Sequence, residues 1–191
     1  MLKMTNTARV MEKNGLSIKT QTLAAFAAIV AAVALPQIFH LIGVISGVGT
    51  ALGEVFLPMH LPILLVGFLA GPYAGAVAGM CGPVVSFALS GMPGAAMLPF
   101  MMLELSIYGL SAGLLKNVRM PIIAKIVISQ AAGRVIRAVV ILIAIYVFGN
   151  KNISVSAIWM SIRTGIFGLI LQWAMIPFIV CGVERMQKYE D

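Results

Sequence analysis

The sequence predicts an all-α integral membrane protein, a six-transmembrane-helix bundle with both termini cytoplasmic. Three observations predict it. Apolar residues make up 61% of the chain and charged residues only 10%, whereas a soluble domain is roughly one-quarter charged. So few charges would not cover a soluble domain of 191 residues, so lipid must be the solvent for most of the chain. Apolar runs recur six times between short polar interruptions, and six spans of roughly 20 residues each leave room only for short loops and tails. The third observation is that most of the positive charges sit at the two ends and in a few short loops, which is a topology signal. The reading divides the chain into an N-terminal tail (1–19), a six-helix membrane domain (20–185) and a C-terminal tail (186–191).

The elements follow in order. A first span runs from about Thr20 to Phe39, ended by Pro36, Gln37 and His40. Its length and the lack of a small-residue cleavage site after it argue against a removable signal peptide. Leu41 to Phe56, rich in Gly and Ser with Glu54 near its end, reads as a loop or half-inserted segment. A second span covers Leu57 to Ala70 and is broken by Gly71-Pro72-Tyr73. A third covers Ala74 to Leu89, ended by the turn cluster Ser90-Gly91-Met92-Pro93-Gly94. The fourth covers Ala95 to Leu115. After the polar loop Lys116-Asn117-Val118-Arg119, Pro121 suits the first turn of a fifth span that reaches Phe148. Gly149-Asn150-Lys151-Asn152 makes the next loop, and a last span covers Ala157 to Val183.

Orientation follows from the basic residues. Lys3, Arg9, Lys13 and Lys19 precede the first span, and Arg185 and Lys188 close the chain. Six crossings put these ends and the Lys116–Arg119 loop on one side, which the positive-inside rule makes cytoplasmic. The loops left outside carry one lysine, Lys151, and one glutamate, Glu54. The net charge of +7 is therefore not a nucleic-acid signature, because no single basic patch with interleaved aromatics exists. Cys81 and Cys181 both lie in apolar runs and read as small buried residues, not as a disulfide or metal pair.

Ionisable residues inside spans are expensive and so are functional candidates. Glu104 lies in span four, and Arg134 and Arg137 lie in span five. Spacings of three and four place Gln130, Arg134 and Arg137 on one helical face, and Glu104 is the expected counter-charge for Arg134. Arg163 and Gln172 lie in span six, His60 opens span two, and Glu54 precedes it. Each has a competing structural reading as an ion pair or snorkelling side chain. Their concentration on the outer half of several helices favours a shared polar pocket. His60 has only the distant His40 for company, so hydrogen bonding at a pocket mouth suits it better than metal ligation; no metal site is expected. Ala24, Ala28 and Ala32 form a small-residue stripe on span one. Such stripes let helices approach closely in lipid, either within the bundle or against a partner.

Catalytic motifs are missing. The chain has no HExxH and no GxxxxGK[ST], and Asp191 is its sole aspartate, so no enzyme activity and no catalytic residues are assigned. A stand-alone secondary transporter would be expected to show an internal repeat, and a channel a filter motif; neither stands out.

The stretch Leu57-Pro58-Met59-His60-Leu61-Pro62-Ile63-Leu64-Leu65-Val66-Gly67-Phe68-Leu69 resembles the LPMHxPxLLxGF segment of the substrate-binding S components of energy-coupling factor transporters. The likeness continues through Gly71, Gly79, Pro83, Ser90-Gly91-Met92-Pro93, Glu104, Tyr108-Gly109-Leu110 and Gly113-Leu114. It implies a multi-pass subunit of a prokaryotic cell membrane that captures a small water-soluble vitamin from outside. A transmembrane scaffold (T) subunit and two ATPase subunits would supply the power, so ATP is used by the partners and no cofactor by this chain. The resemblance makes Ala24, Ala28 and Ala32 the scaffold-docking face. It places the ligand pocket where Glu54, His60, Glu104, Gln130, Arg134 and Arg163 lie. Buried arginines outnumber buried glutamates, which favours an anionic ligand. Pantothenate fits best, with vitamin B6 forms, queuosine-type deazapurines and cobalamin as alternatives.

Overall fold

The structure, a computed structural model, describes residues 16–49 and 51–190. Lys3, Arg9, Lys13 and Asp191 lie outside the described residues. Helix α1 spans Ile18–Ile45, α2 Ala51–Phe56, α3 His60–Ala70 and α4 Pro72–Ser90. Helix α5 spans Leu98–Leu115, α6 Ile122–Tyr146, α7 Ser156–Thr164 and α8 Ile166–Glu190. Among the described residues there is no strand. Six stretches are long and apolar enough to cross a bilayer, with α2 and α3 together forming the second, Ala51–Ala70. In lipid every backbone group must find its partner within the chain, which is why helices alone carry the spans.

Three boundaries differ from expectation. The first helix does not stop at Pro36 but runs through it for 28 residues, from the Ser17 N-cap, whose Oγ accepts the Thr20 N–H at 3.3 Å. Proline removes one ladder bond, and a buried Pro36 packed by neighbouring helices tolerates that loss. The segment before Leu57 is largely helical: Gly47 and Gly49 turn the chain with positive φ, and α2 follows. The last span is not continuous, because the helix is interrupted at Gly165 and splits into α7 and α8. Helix α8 then reaches Glu190, so residues assigned to the C-terminal tail are helical.

The core is built on α5. It packs most extensively on α4, then on α6 and α3, while α1 covers α4 and α3. Glycine makes the α4–α5 contact possible. A Cβ on Gly75 would overlap the Gly109 backbone, one on Gly109 would overlap Gly75, and one on Gly79 would meet the Leu105 carbonyl. Close backbone approach through small residues is how helices associate without a hydrophobic driving force between them. Around that seam lie Ile63, Leu64, Leu105, Tyr108, Ile126 and Ile176, all fully buried. Large apolar side chains such as Phe26, Leu41, Leu89 and Phe178 face outward, as lipid requires.

The alanine stripe of α1 takes a different place from the one expected. Ala28 is 7% and Ala32 0% exposed, inside the same core cluster as Ala25, and Ala24 is half-buried against it. The face they form is covered by this chain's own helices, with Ala32 beside Gly82 of α4. It is therefore an internal packing face and not an open docking face. The two cysteines are free thiols, and Cys181 is exposed on the outer surface of α8 instead of buried.

The loop at 116–121 is held by its own cations. Lys116 Nζ donates to the Leu69 carbonyl near the end of α3, and Lys125 Nζ donates to the Lys116 carbonyl at 2.7 Å. Cations near helix C-termini satisfy carbonyls that the helix leaves open.

Candidate functional site

A cavity of about 370 Å³ opens at the end of the bundle opposite the 116–121 loop. Its walls come from α1 to α7 and from the Ser90–Met97 connection. Several breaks in helical regularity shape it. Leu57, a non-glycine residue with φ 47°, kinks the chain between α2 and α3 and puts Glu54 and His60 on either side of the turn. Gly91, with φ 70°, ends α4 in a left-handed cap whose N–H donates to the Phe87 carbonyl at 2.8 Å. A cis Met92–Pro93 bond follows, and Met92, Pro93 and Gly94 all reach the cavity.

Helices α5 and α6 supply its charged wall. The link at 116–121 makes them antiparallel neighbours. Gly133 lets α6 close on α5, since a Cβ there would overlap the Tyr108 ring and the Glu104 carbonyl. Helical side chains tilt toward their own N-terminus, so on antiparallel helices Glu104 and Arg137 lean toward each other. Arg137 Nη1 lies 2.8 Å from Glu104 Oε2, and the Tyr108 hydroxyl donates to Glu104 Oε1 at 3.1 Å. Both carboxylate oxygens are thereby engaged on a residue only 1% exposed. This corrects the expected pairing: Glu104 partners Arg137, a turn farther along α6, and not Arg134.

Arg134 is left facing the cavity. Its Nη1 reaches the Ser161 carbonyl of α7 at 3.5 Å, the far limit of a hydrogen bond. Among the described residues it has no carboxylate partner, the ion pair being Arg137–Glu104. Its buried Nε has no hydrogen-bond partner, and the same holds for Arg137 Nε, His40 Nδ1, His60 Nδ1 and Ser86 Oγ. All five atoms belong to residues that line the cavity. Buried polar groups are nearly always satisfied in native proteins, and these five find no partner within the chain.

Part of the lining is soft and apolar. Met59, Met97, Met101 and Met160 line it together with Ala157. Thioether side chains adapt to irregular shapes at little cost. His60 lies against Tyr108, ring centroids 5.4 Å apart and tilted 60°, which joins the polar and apolar sides.

The structure brings Glu54, His60, Glu104 and Arg134 together in this cavity. Gln130 and Arg163 do not line it. Gln130 is buried lower on α6, bonded to Gln172 and Trp173 of α8. Arg163 is exposed on α7, whose inner face presents Met160, Ser161 and Thr164 instead. Sequence reasoning passed over His40, Ser86 and the methionines. Ser86 is 1% exposed in the last turns of α4, and a hydroxyl in an apolar run was the available signal. Met97 and Met101 share the start of α5 at a four-residue spacing, but Met59 and Met160 come from other elements, so no single run announces the set. Among the described residues no group of His, Cys, Asp and Glu has the makings of a metal site.

A family model for the substrate-specific component of ECF transporters matches residues 19–180, most of the chain. The chain belongs to that family. Comparisons with curated proteins and with solved structures each returned no match.

Proposed function

We propose that this substrate-specific component captures pantothenate, or a vitamin of similar size and charge, in the cavity at the end of the bundle. The observation that carries the reading is the Arg134 guanidinium: cavity-facing, with a buried unbonded Nε and no carboxylate partner. A guanidinium offers a planar fork of donors suited to a carboxylate. Arg137 cannot serve as freely, because Glu104 already holds it. Beyond the carboxylate, pantothenate carries amide and hydroxyl groups, which suit the His40, His60 and Ser86 orphans. Its branched apolar carbon suits the methionine wall.

Size supports the same choice. Pockets for small molecules run from roughly 300 to 1,000 Å³, and a cavity of about 370 Å³ favours a compact vitamin over a corrinoid such as cobalamin. As in the family, ligand would enter from the extracellular side with both termini in the cytoplasm. A transmembrane scaffold subunit and two ATPase subunits would drive release inward, the ATP being theirs and not this chain's. Isothermal titration of the purified chain with pantothenate, without ATP or partners, tests the reading. Saturable one-to-one binding supports it. No heat with pantothenate, but binding of a vitamin B6 form or a deazapurine, would keep the site and replace the ligand.

A further inference from the structure

Below the cavity a second polar cluster crosses the bundle and meets the cavity wall at Leu57. Gln172 of α8 is 1% exposed and Gln130 of α6 is 4% exposed. The Trp173 indole N–H donates to Gln130 Oε1 at 2.8 Å. Gln130 Nε2 donates to Gln172 Oε1 at 2.9 Å, and Gln172 Nε2 donates to the Leu57 carbonyl at 3.4 Å. That carbonyl also accepts the His60 N–H at 3.1 Å. We propose that Gln172 is a positioning residue for the binding cavity, given its direction by Trp173 through Gln130.

The direction of the chain follows from donor chemistry. An indole nitrogen donates and never accepts, whereas either end of a glutamine amide can face a neighbour. Trp173 therefore fixes which end of Gln130 faces it, and the remaining NH₂ fixes Gln172. The last donor can then face only outward, toward Leu57. Leu57 is the residue with positive φ at the α2–α3 kink, and the kink lies between Glu54 and His60, both of which line the cavity. Close packing reinforces the tether: a Cβ on Gly165 would overlap the Leu57 side chain, and one on Gly168 would overlap the Phe56 carbonyl. An amide in a lipid-embedded bundle is costly unless bonded. The network thus spends two glutamines on holding a strained turn in place.

The inference rests on the reading of the cavity as the ligand site, yet it is tested without ligand. Hydrogen exchange is followed by mass spectrometry on the full chain in lipid nanodiscs, for wild type, Gln172→Met and Trp173→Phe. Methionine keeps the volume of glutamine and removes its hydrogen bonds. Loss of one hydrogen bond, about 1 kcal/mol, should speed local opening about fivefold. Gln172→Met is therefore expected to exchange faster over residues 54–62 and at the wild-type rate over α5. Trp173→Phe is expected to give a smaller change in the same segment. Wild-type exchange over 54–62 in Gln172→Met would overturn the proposal, as would uniform acceleration through all spans, which marks a general packing role. A wild-type chain that fails to bind pantothenate would count against the ligand and leave this exchange pattern standing.

Discussion

Two arginines one turn apart on α6 are held differently. Arg137 neutralises Glu104, a carboxylate buried to 1% exposure. Removing one partner of a buried pair costs on the order of 3–5 kcal/mol, so Arg137→Ala should lower the thermal midpoint sharply. Arg134 faces the cavity instead. Arg134→Ala should leave the midpoint near wild type and weaken pantothenate binding by on the order of 2–5 kcal/mol, the range for truncating one side of a buried charge pair. Arg134→Lys should recover part of that, since an ammonium lacks the bidentate fork. Calorimetry and thermal melts on the same preparations check both. A melting loss in Arg134→Ala without an affinity loss would exchange the two roles. That both arginines lie inside a span was legible from the apolar run around them. Which one holds Glu104 was not, because it depends on the tilt of side chains on antiparallel helices and on the clearance that Gly133 provides.

At the scale of the element, six spanning stretches were readable from hydropathy, and their breaks were only partly so. Gly71-Pro72 and Ser90–Gly94 interrupt the chain as their composition suggests. Pro36 does not, and Gly165 does, because neighbouring helices decide whether a lost backbone bond is tolerated. The alanines of α1 show the same dependence. Their spacing signals a close contact and leaves its partner open, and the structure gives them α4 and α3. Ala32, at 0% exposure, has no room to grow, and overpacking typically costs about 1–3 kcal/mol. Ala32→Leu should therefore lower the stability of the isolated chain, measured by thermal melting in detergent. Unchanged stability would mean that the α1–α4 contact opens readily. Gly109→Ala should be worse, because its Cβ would meet the Gly75 backbone and not a movable side chain; little or no folded protein is expected on size exclusion.

The whole molecule is a membrane bundle that is glycine-seamed on one side of α5 and polar on the other, with a cavity at one end. By the positive-inside rule the cavity end should face outside. A cysteine placed at Met92, in the wall of the cavity, should then react with an impermeant maleimide added to intact cells. Labelling only in inverted vesicles would reverse the topology. The claim on which the rest depends is that the cavity holds an anionic vitamin through Arg134. Mass spectrometry of small molecules released from purified wild type and Arg134→Ala tests it most directly. A carboxylate-bearing vitamin is predicted, near one per chain from wild type and depleted from the variant. A neutral or cationic ligand, or equal occupancy in the two proteins, would contradict it.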